Sequence, residues 1–163
     1  MRETDPIAEA ARQWRAHGWE AAADGMTLVT SIVRVHQLLM EQIDATLRPF
    51  GLTFARFEAL RLLAFTSKGE LPMSKLGSLL QVHPTSVTSA VSRLEEQGFA
   101  RRTPSETDKR VVLATITDSG RKIVEEATEA LNSAVFNEPG PSHQDVATLI
   151  TQLSGFRAVL GDS

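Results

Sequence analysis

The chain has 163 residues, 42% of them hydrophobic and 23% charged, and a formal net charge of −3. That balance suits one globular domain, or one protomer of an intertwined oligomer, and is too apolar for a disordered chain. The absence of cysteine excludes disulfide frameworks, thiolate nucleophiles and cysteine-ligated zinc or iron–sulfur centres, and no apolar run approaches the roughly 18 residues needed to span a bilayer.

The first 20 residues alternate charge with alanine and lack the apolar core of a secretory signal, so a soluble, cytoplasmic protein is expected. Within them Asp5-Pro6 reads as a helix opening, because Asp caps free backbone N–H groups and Pro at the first helical position loses no hydrogen bond. Ile7, Ala11 and Trp14 share one face until Gly18 weakens the helix. A longer helix is predicted after Gly25, with Leu28, Ile32, Val35, Leu39, Ile43 and Leu47 recurring at steps of three or four. Val29 and Val33 widen that stripe beyond what one neighbour covers, which predicts packing on two sides, one of them supplied by a partner chain.

Pro49 stops this helix, Gly51 permits a turn, and Thr53 caps a helix that buries Phe54, Phe57, Leu60, Leu63 and Ala64. Lys68-Gly69-Glu70 reads as a turn, and Leu71 to Met73 leaves room for one short strand. Ser74 opens a short helix with Leu76, Leu79 and Leu80 inside. Gln81-Val82-His83 forms a tight connection, and Pro84 begins a helix that runs to about Gln97 before Gly98 ends it. Phe99 to Thr103 and Val111 to Thr117 are β-rich, and the polar run between them makes a hairpin with a long charged tip. Thr117-Asp118 caps a helix carrying Ile123, Ala127, Leu131 and Ala134, which Asn137 to Pro141 breaks. Ser142 with Asp145 resembles a capping box, and the last predicted helix buries Val146, Leu149, Ile150, Leu153, Phe156 and Leu160.

Helix, tight turn, helix, glycine and charged hairpin form the layout of a winged helix-turn-helix: a mainly α fold with a small β-hairpin wing. Val87, Val91 and Leu94, at i, i+4 and i+7, pin the second helix to the body. Thr85, Ser86, Thr88, Ser89, Ser92 and Arg93 are left as candidate contacts, mostly short polar side chains that enter a DNA major groove without bulky obstruction. Arg101 and Arg102 stand at the base of the hairpin, with Asp108, Lys109 and Arg110 at its tip. From there they reach neighbouring phosphates or a narrow minor groove, whose negative potential favours a guanidinium. Between Lys68 and Lys122 there are nine basic and six acidic residues, against eight basic and fourteen acidic in the remainder. A locally basic insert on an acidic body suggests a small electropositive contact surface.

Gly51-Leu52-Thr53, Phe57-Glu58-Ala59-Leu60, the segment from Thr85 to Gly98 and the segment from Asp108 to Gly120 resemble the MarR family of bacterial transcriptional regulators. The likeness extends over roughly Leu28 to Leu160, and its specific part is Thr85 to Gly120. It implies an intertwined helical homodimer with paired winged helices, a near-palindromic double-stranded DNA operator and release by a small ligand or oxidant. On this resemblance Thr85 to Arg93 fall on the recognition helix, and Asp108 and Arg110 fall on the wing motif, where the aspartate positions the arginine. Ile116 stands where leucine is more usual, a volume-conserving change. Residues 1–24 are then an added first helix, residues 25–50 and 118–163 the dimerisation region, and residues 51–117 the DNA-binding lobe.

The N-terminal extension with Trp14 and Trp19 is similar to a subset of the family, some of which sense urate through a tryptophan, an acid and an arginine. Glu58 matches the acid, whereas Ala90 occupies the arginine's place, so a urate-type response is not implied. Trp14, His36, Arg56 and Glu58 are the candidate ligand-binding residues for a small aromatic or anionic effector. Thiol-based oxidant sensing is excluded by the lack of cysteine.

His17, His36, His83 and His143 show no spacing that suggests metal ligation, and no cofactor is expected. There is no Gly-rich phosphate loop and no nucleophile elbow, so catalysis is not expected either. The expected function is sequence-specific DNA binding by a homodimeric regulator, more often a repressor. The alternatives are a winged helix that docks on a protein and a ligand-binding dimer without DNA affinity.

Overall fold

The computed structural model describes residues 5–80 and 83–162. Its elements are α1 (Pro6–Ala16), α2 (Glu20–Leu47), a 3₁₀ turn (Arg48–Phe50), α3 (Phe54–Phe65), β1 (Glu70–Pro72), α4 (Met73–Leu80), α5 (Pro84–Glu96), β2 (Ala100–Pro104), β3 (Val112–Ile116), α6 (Asp118–Leu131), a π turn (Asn132–Phe136) and α7 (His143–Val159). Short polar side chains open four of the helices at the predicted places. The side chains of Asp5, Thr53, Thr117 and Ser142 accept from the backbone N–H groups of Ile7, Arg56, Gly120 and Asp145. The Ser142 hydroxyl also donates to the Asp145 carboxylate at 2.5 Å.

The sheet is antiparallel in the order β1-β3-β2, with Leu71 opposite Ala114 and Arg101 opposite Thr115. The three-residue β1 is the short strand expected after Gly69, and its pairing ties the hairpin back to the turn before α4. One core joins α2, α3, α4, α5, α6 and the sheet, with Leu47, Leu60, Leu63, Leu76, Leu94 and Leu131 fully buried. Each such leucine contributes about 1.5–3 kcal/mol relative to an exposed position.

Four expectations are corrected. The long helix begins at Glu20, so Gly25 lies inside it. An interior glycine costs only about 1 kcal/mol, and the packing of α1 on α2, which buries Ala11 and Ala23, outweighs it. Leu79 is exposed rather than inside α4, because Leu76 takes the inward position of this short helix. After α6 the π turn carries Val135, not Ala134, into the core. No residue of α7 is buried: Val146 and Phe156 are half-buried, while Leu149, Ile150, Leu153 and Leu160 are exposed. Among the described residues, this exposed part of the apolar stripe of α7 has no partner within its own chain. The same holds on α2, where Leu28, Val29, Val33, Val35 and Leu38 are exposed. Gln81 and Val82, expected in the tight connection, lie outside the described residues.

Gly120 sits where a side chain has no room, since a Cβ there would collide with the carbonyl oxygen of Phe99. That carbonyl is backbone fixed by the Thr117 N–H at 3.0 Å and cannot swing aside. Gly120→Ala is therefore expected to destabilise the fold by about 1–3 kcal/mol, read as a lower urea midpoint at fixed protein concentration.

Candidate nucleic-acid interface

Helix α5 is amphipathic in the strict sense that two sides of it have different tasks. Val87, Val91 and Leu94 are buried, which fixes its rotation. Thr85, Ser86, Thr88, Ser89 and Arg93 are exposed on the other side, with Ser92 half-buried at the border. The helix opens on His83, whose ring nitrogen accepts from the Thr85 N–H at 3.3 Å, and Pro84 occupies the first turn without losing a bond. The Thr88 hydroxyl donates to the Pro84 carbonyl at 3.0 Å, so it offers lone pairs rather than its proton to a ligand. Gly98 takes a left-handed backbone at φ +77°, which ends the helix and turns the chain into β2.

At the wing tip, Val111 N–H bonds Asp108 O and Ser105 N–H bonds Val111 O, closing a tight loop between β2 and β3. Asp108 holds Arg110 through three bonds: to its backbone N–H at 3.0 Å, to Nε at 3.2 Å and to Nη2 at 3.4 Å. Hydrogen bonds from the Arg110 side chain, then from its backbone, hold the Asp108 carboxyl below the usual aspartate range. The Arg110 side chain is 92% exposed and so projects from the fold on a fixed base. Lys109 and Arg101 are also exposed. Arg102 differs: its N–H and Nε both donate to the Glu95 carboxylate, at 2.7 and 2.5 Å, which couples the base of the wing to the last turn of α5.

Sequence reasoning missed part of this face. An open groove of about 500 Å³ runs along α5 and is lined by Arg56 and Ala55 from α3 together with Ser86, Ser89 and Ala90. Arg56 Nε donates to Thr53 Oγ1 at 3.2 Å and Nη1 to Gln97 Oε1 at 3.0 Å. Thr53 is three residues away, but Gln97 comes from 41 residues along the chain, and no local spacing announces it.

Of the four expected ligand residues, Arg56 lines the α5 groove and Glu58 lines a separate cavity of about 200 Å³ with Phe57, Arg61, Leu62, Leu79 and Leu80. Burial pushes the Glu58 carboxyl above its usual range. Trp14 packs edge-on against Trp19, with ring centroids 5.1 Å apart, and His36 is exposed on α2. One protomer thus does not bring the four together. Beside Glu58, Arg61 stitches α3 to α6: Nη1 pairs with Glu125 at 3.0 Å, and Nη2 donates to Val124 O and Thr128 Oγ1. Among the described residues no group of three or more His, Cys, Asp or Glu could hold a metal ion, and no helix is long and apolar enough to cross a membrane.

Comparison with known proteins gives a consistent picture. A family model for the MarR family matches residues 52–112. The chain is 31% identical over 112 residues to the HTH-type transcriptional repressor Rv2887 of Mycobacterium tuberculosis, spanning 69% of this chain and 79% of the relative. It is similar to the structure of Sco5413, a MarR family transcriptional regulator from Streptomyces coelicolor, with 44% identity and a TM-score of 0.77 over 85% of this chain and 96% of that one. It is also similar to a mutant MarR from E. coli complexed with operator DNA, with 25% identity and a TM-score of 0.74 over 83% of this chain and 96% of the other.

The Asp108–Arg110 contact separates positioning from simple attraction. Asp108→Ala removes a negative charge from the wing, so charge alone predicts tighter duplex binding. If the aspartate's task is to hold Arg110, binding instead weakens, by about three- to tenfold, or roughly 0.7–1.4 kcal/mol; fluorescence anisotropy with a labelled duplex reads the direction.

Proposed function

The chain belongs to the MarR family of transcriptional regulators, and on that premise we propose that it acts as a homodimer on a near-palindromic operator in double-stranded DNA. Regulation through DNA binding, rather than catalysis, is the activity of the family. The observation that carries the reading is the pairing of two features on one surface. One is an α5 face of small hydroxyl side chains; the other is an arginine held out from the wing tip by its own aspartate. The first fits the width of a major groove, and the second suits the phosphates or the minor groove beside it. Thr85, Ser86, Thr88, Ser89, Ser92 and Arg93 are proposed to approach base edges, with Arg101, Lys109 and Arg110 on the backbone. Arg102 and Asp108 support them from behind.

The exposed apolar stripes of α2 and α7 support self-association, since soluble monomers rarely expose so much contiguous apolar surface. We assign residues 25–50 and 118–163 to dimerisation, residues 51–117 to the DNA-binding lobe and residues 1–24 to an N-terminal extension whose helix α1 packs on α2. Twofold symmetry then sets two α5 helices in successive major grooves, with half-sites about 10 base pairs apart. Operator occupancy is proposed to repress transcription. A small aromatic or anionic effector lodged between the dimer helices and the DNA-binding lobes releases the operator if it prefers a spacing of the lobes that misfits DNA.

Selection from randomised duplexes is expected to recover an inverted repeat; enrichment of no sequence, with salt-independent binding, would instead favour a protein-docking winged helix. Arg110→Ala is expected to weaken binding to all duplexes and to reduce the salt dependence, d log K/d log[salt], by about one. Unchanged affinity and slope would remove the wing from the interface.

A further inference from the structure

We propose that Arg56 is a DNA-backbone contact outside both recognition helix and wing, and that Gln97 is the positioning residue that aims it. The inference rests on the DNA-binding reading above and adds a phosphate clamp at the start of α3.

Three of the arginines around the interface are paired with carboxylates: Arg93 with Glu96 at 2.7 Å, Arg102 with Glu95 at 2.5 Å and Arg110 with Asp108 at 3.2 Å. Arg56 is held differently. Its partners are the neutral oxygens of Thr53 and Gln97, and although Asp44 lines an adjoining cleft with Arg48 and Arg56, it forms no ion pair with either. Arg56 is therefore oriented without being neutralised. A guanidinium carries five N–H donors; those facing Thr53 and Gln97 are used, and the rest are free for an acceptor on the groove side. The small side chains of Ala55, Ser86, Ser89 and Ala90 keep that groove open, so a sugar–phosphate strand can come close to the arginine. Since Ser86 and Ser89 belong to the exposed face of α5, the clamp is continuous with the base-reading surface.

Gln97 can serve only one orientation. Its Nε2 donates to the Gly51 carbonyl at 2.8 Å, which requires the amide NH₂ on that side and so turns Oε1 toward Arg56. Gly51 makes this bridge possible by its left-handed turn at φ +66°, and a Cβ there would press on Gln97 Nε2 at 3.3 Å. A phosphodiester is the fitting acceptor, because a bound anion restores to the arginine the charge partner the fold withholds.

The experiment measures wild-type, Arg56→Gln, Arg56→Lys and Gln97→Glu affinities for one operator and one random duplex across a salt series, with thermal melting to verify folding. Arg56→Gln is expected to weaken both duplexes by about three- to tenfold and to reduce the salt slope by about one, with Arg56→Lys keeping the slope. Gln97→Glu gives up the bond to the Gly51 carbonyl but supplies Arg56 with a carboxylate, and is expected to lower the slope in the same way; a wild-type slope in this variant would separate Gln97 from the clamp. Replacing single phosphates by neutral methylphosphonates is expected to find one position per half-site that weakens wild type and not Arg56→Gln. Wild-type affinity and slope in Arg56→Gln, or no such phosphate position, overturns the clamp while leaving the DNA reading intact. Failure of the wild-type protein to bind any duplex in dilute salt overturns that reading itself.

Discussion

The burial of Val87, Val91 and Leu94 against the core governs everything at the surface of this protein. A helix that is to meet a rigid, grooved polymer must present one face and one rotation, and three inward aliphatic side chains over two turns settle both. With that side fixed, the outward positions are free of any packing duty. They can be small and polar because stability is supplied elsewhere, by Leu47, Leu60, Leu63, Leu76 and Leu131 in the same core.

Charge is handled with similar economy. The chain is acidic overall, yet the surface read as the interface is not a dense cluster of free cations. Most of its arginines are tethered: Arg93 and Arg102 to glutamates on α5, and Arg110 to Asp108. Exposed ion pairs contribute little to stability, so their value lies in limiting where long, flexible side chains can go. An arginine already confined loses less freedom when it meets a phosphate than one that must be gathered from solvent. Glu58 and Arg61 share a cavity between α3 and α4, and the Arg61 guanidinium also bonds across to α6, the seam between the proposed DNA-binding and dimerisation regions.

Much of the fold was legible because its signals are local. Thr53, Thr117 and Ser142 announce helix starts, Gly98 announces an end, and steps of three or four in the apolar residues give the helices. The hairpin was legible from its β-rich flanks around a polar tip. What escaped had no local signature. Gly25 looked like a boundary, but contact between α1 and α2 overrides the preference of one residue. The stripe of α7 was visible as apolar, yet only the structure reveals that its own chain leaves it uncovered. His83 caps α5 through a ring nitrogen, a role seldom read from sequence, and the bonds of Gln97 to Arg56 and Gly51 cross long stretches of chain.

The Glu95 carboxylate bonds both the backbone and the side chain of Arg102, and so it welds the end of α5 to the root of the hairpin. Helix and wing are thereby joined as a single reading head. Divergence of target preference among descendants of this chain is accordingly written on α5 ahead of Glu95, from Thr85 to Arg93. Glu95 is committed to geometry, and a change there would alter the tool rather than the text it reads.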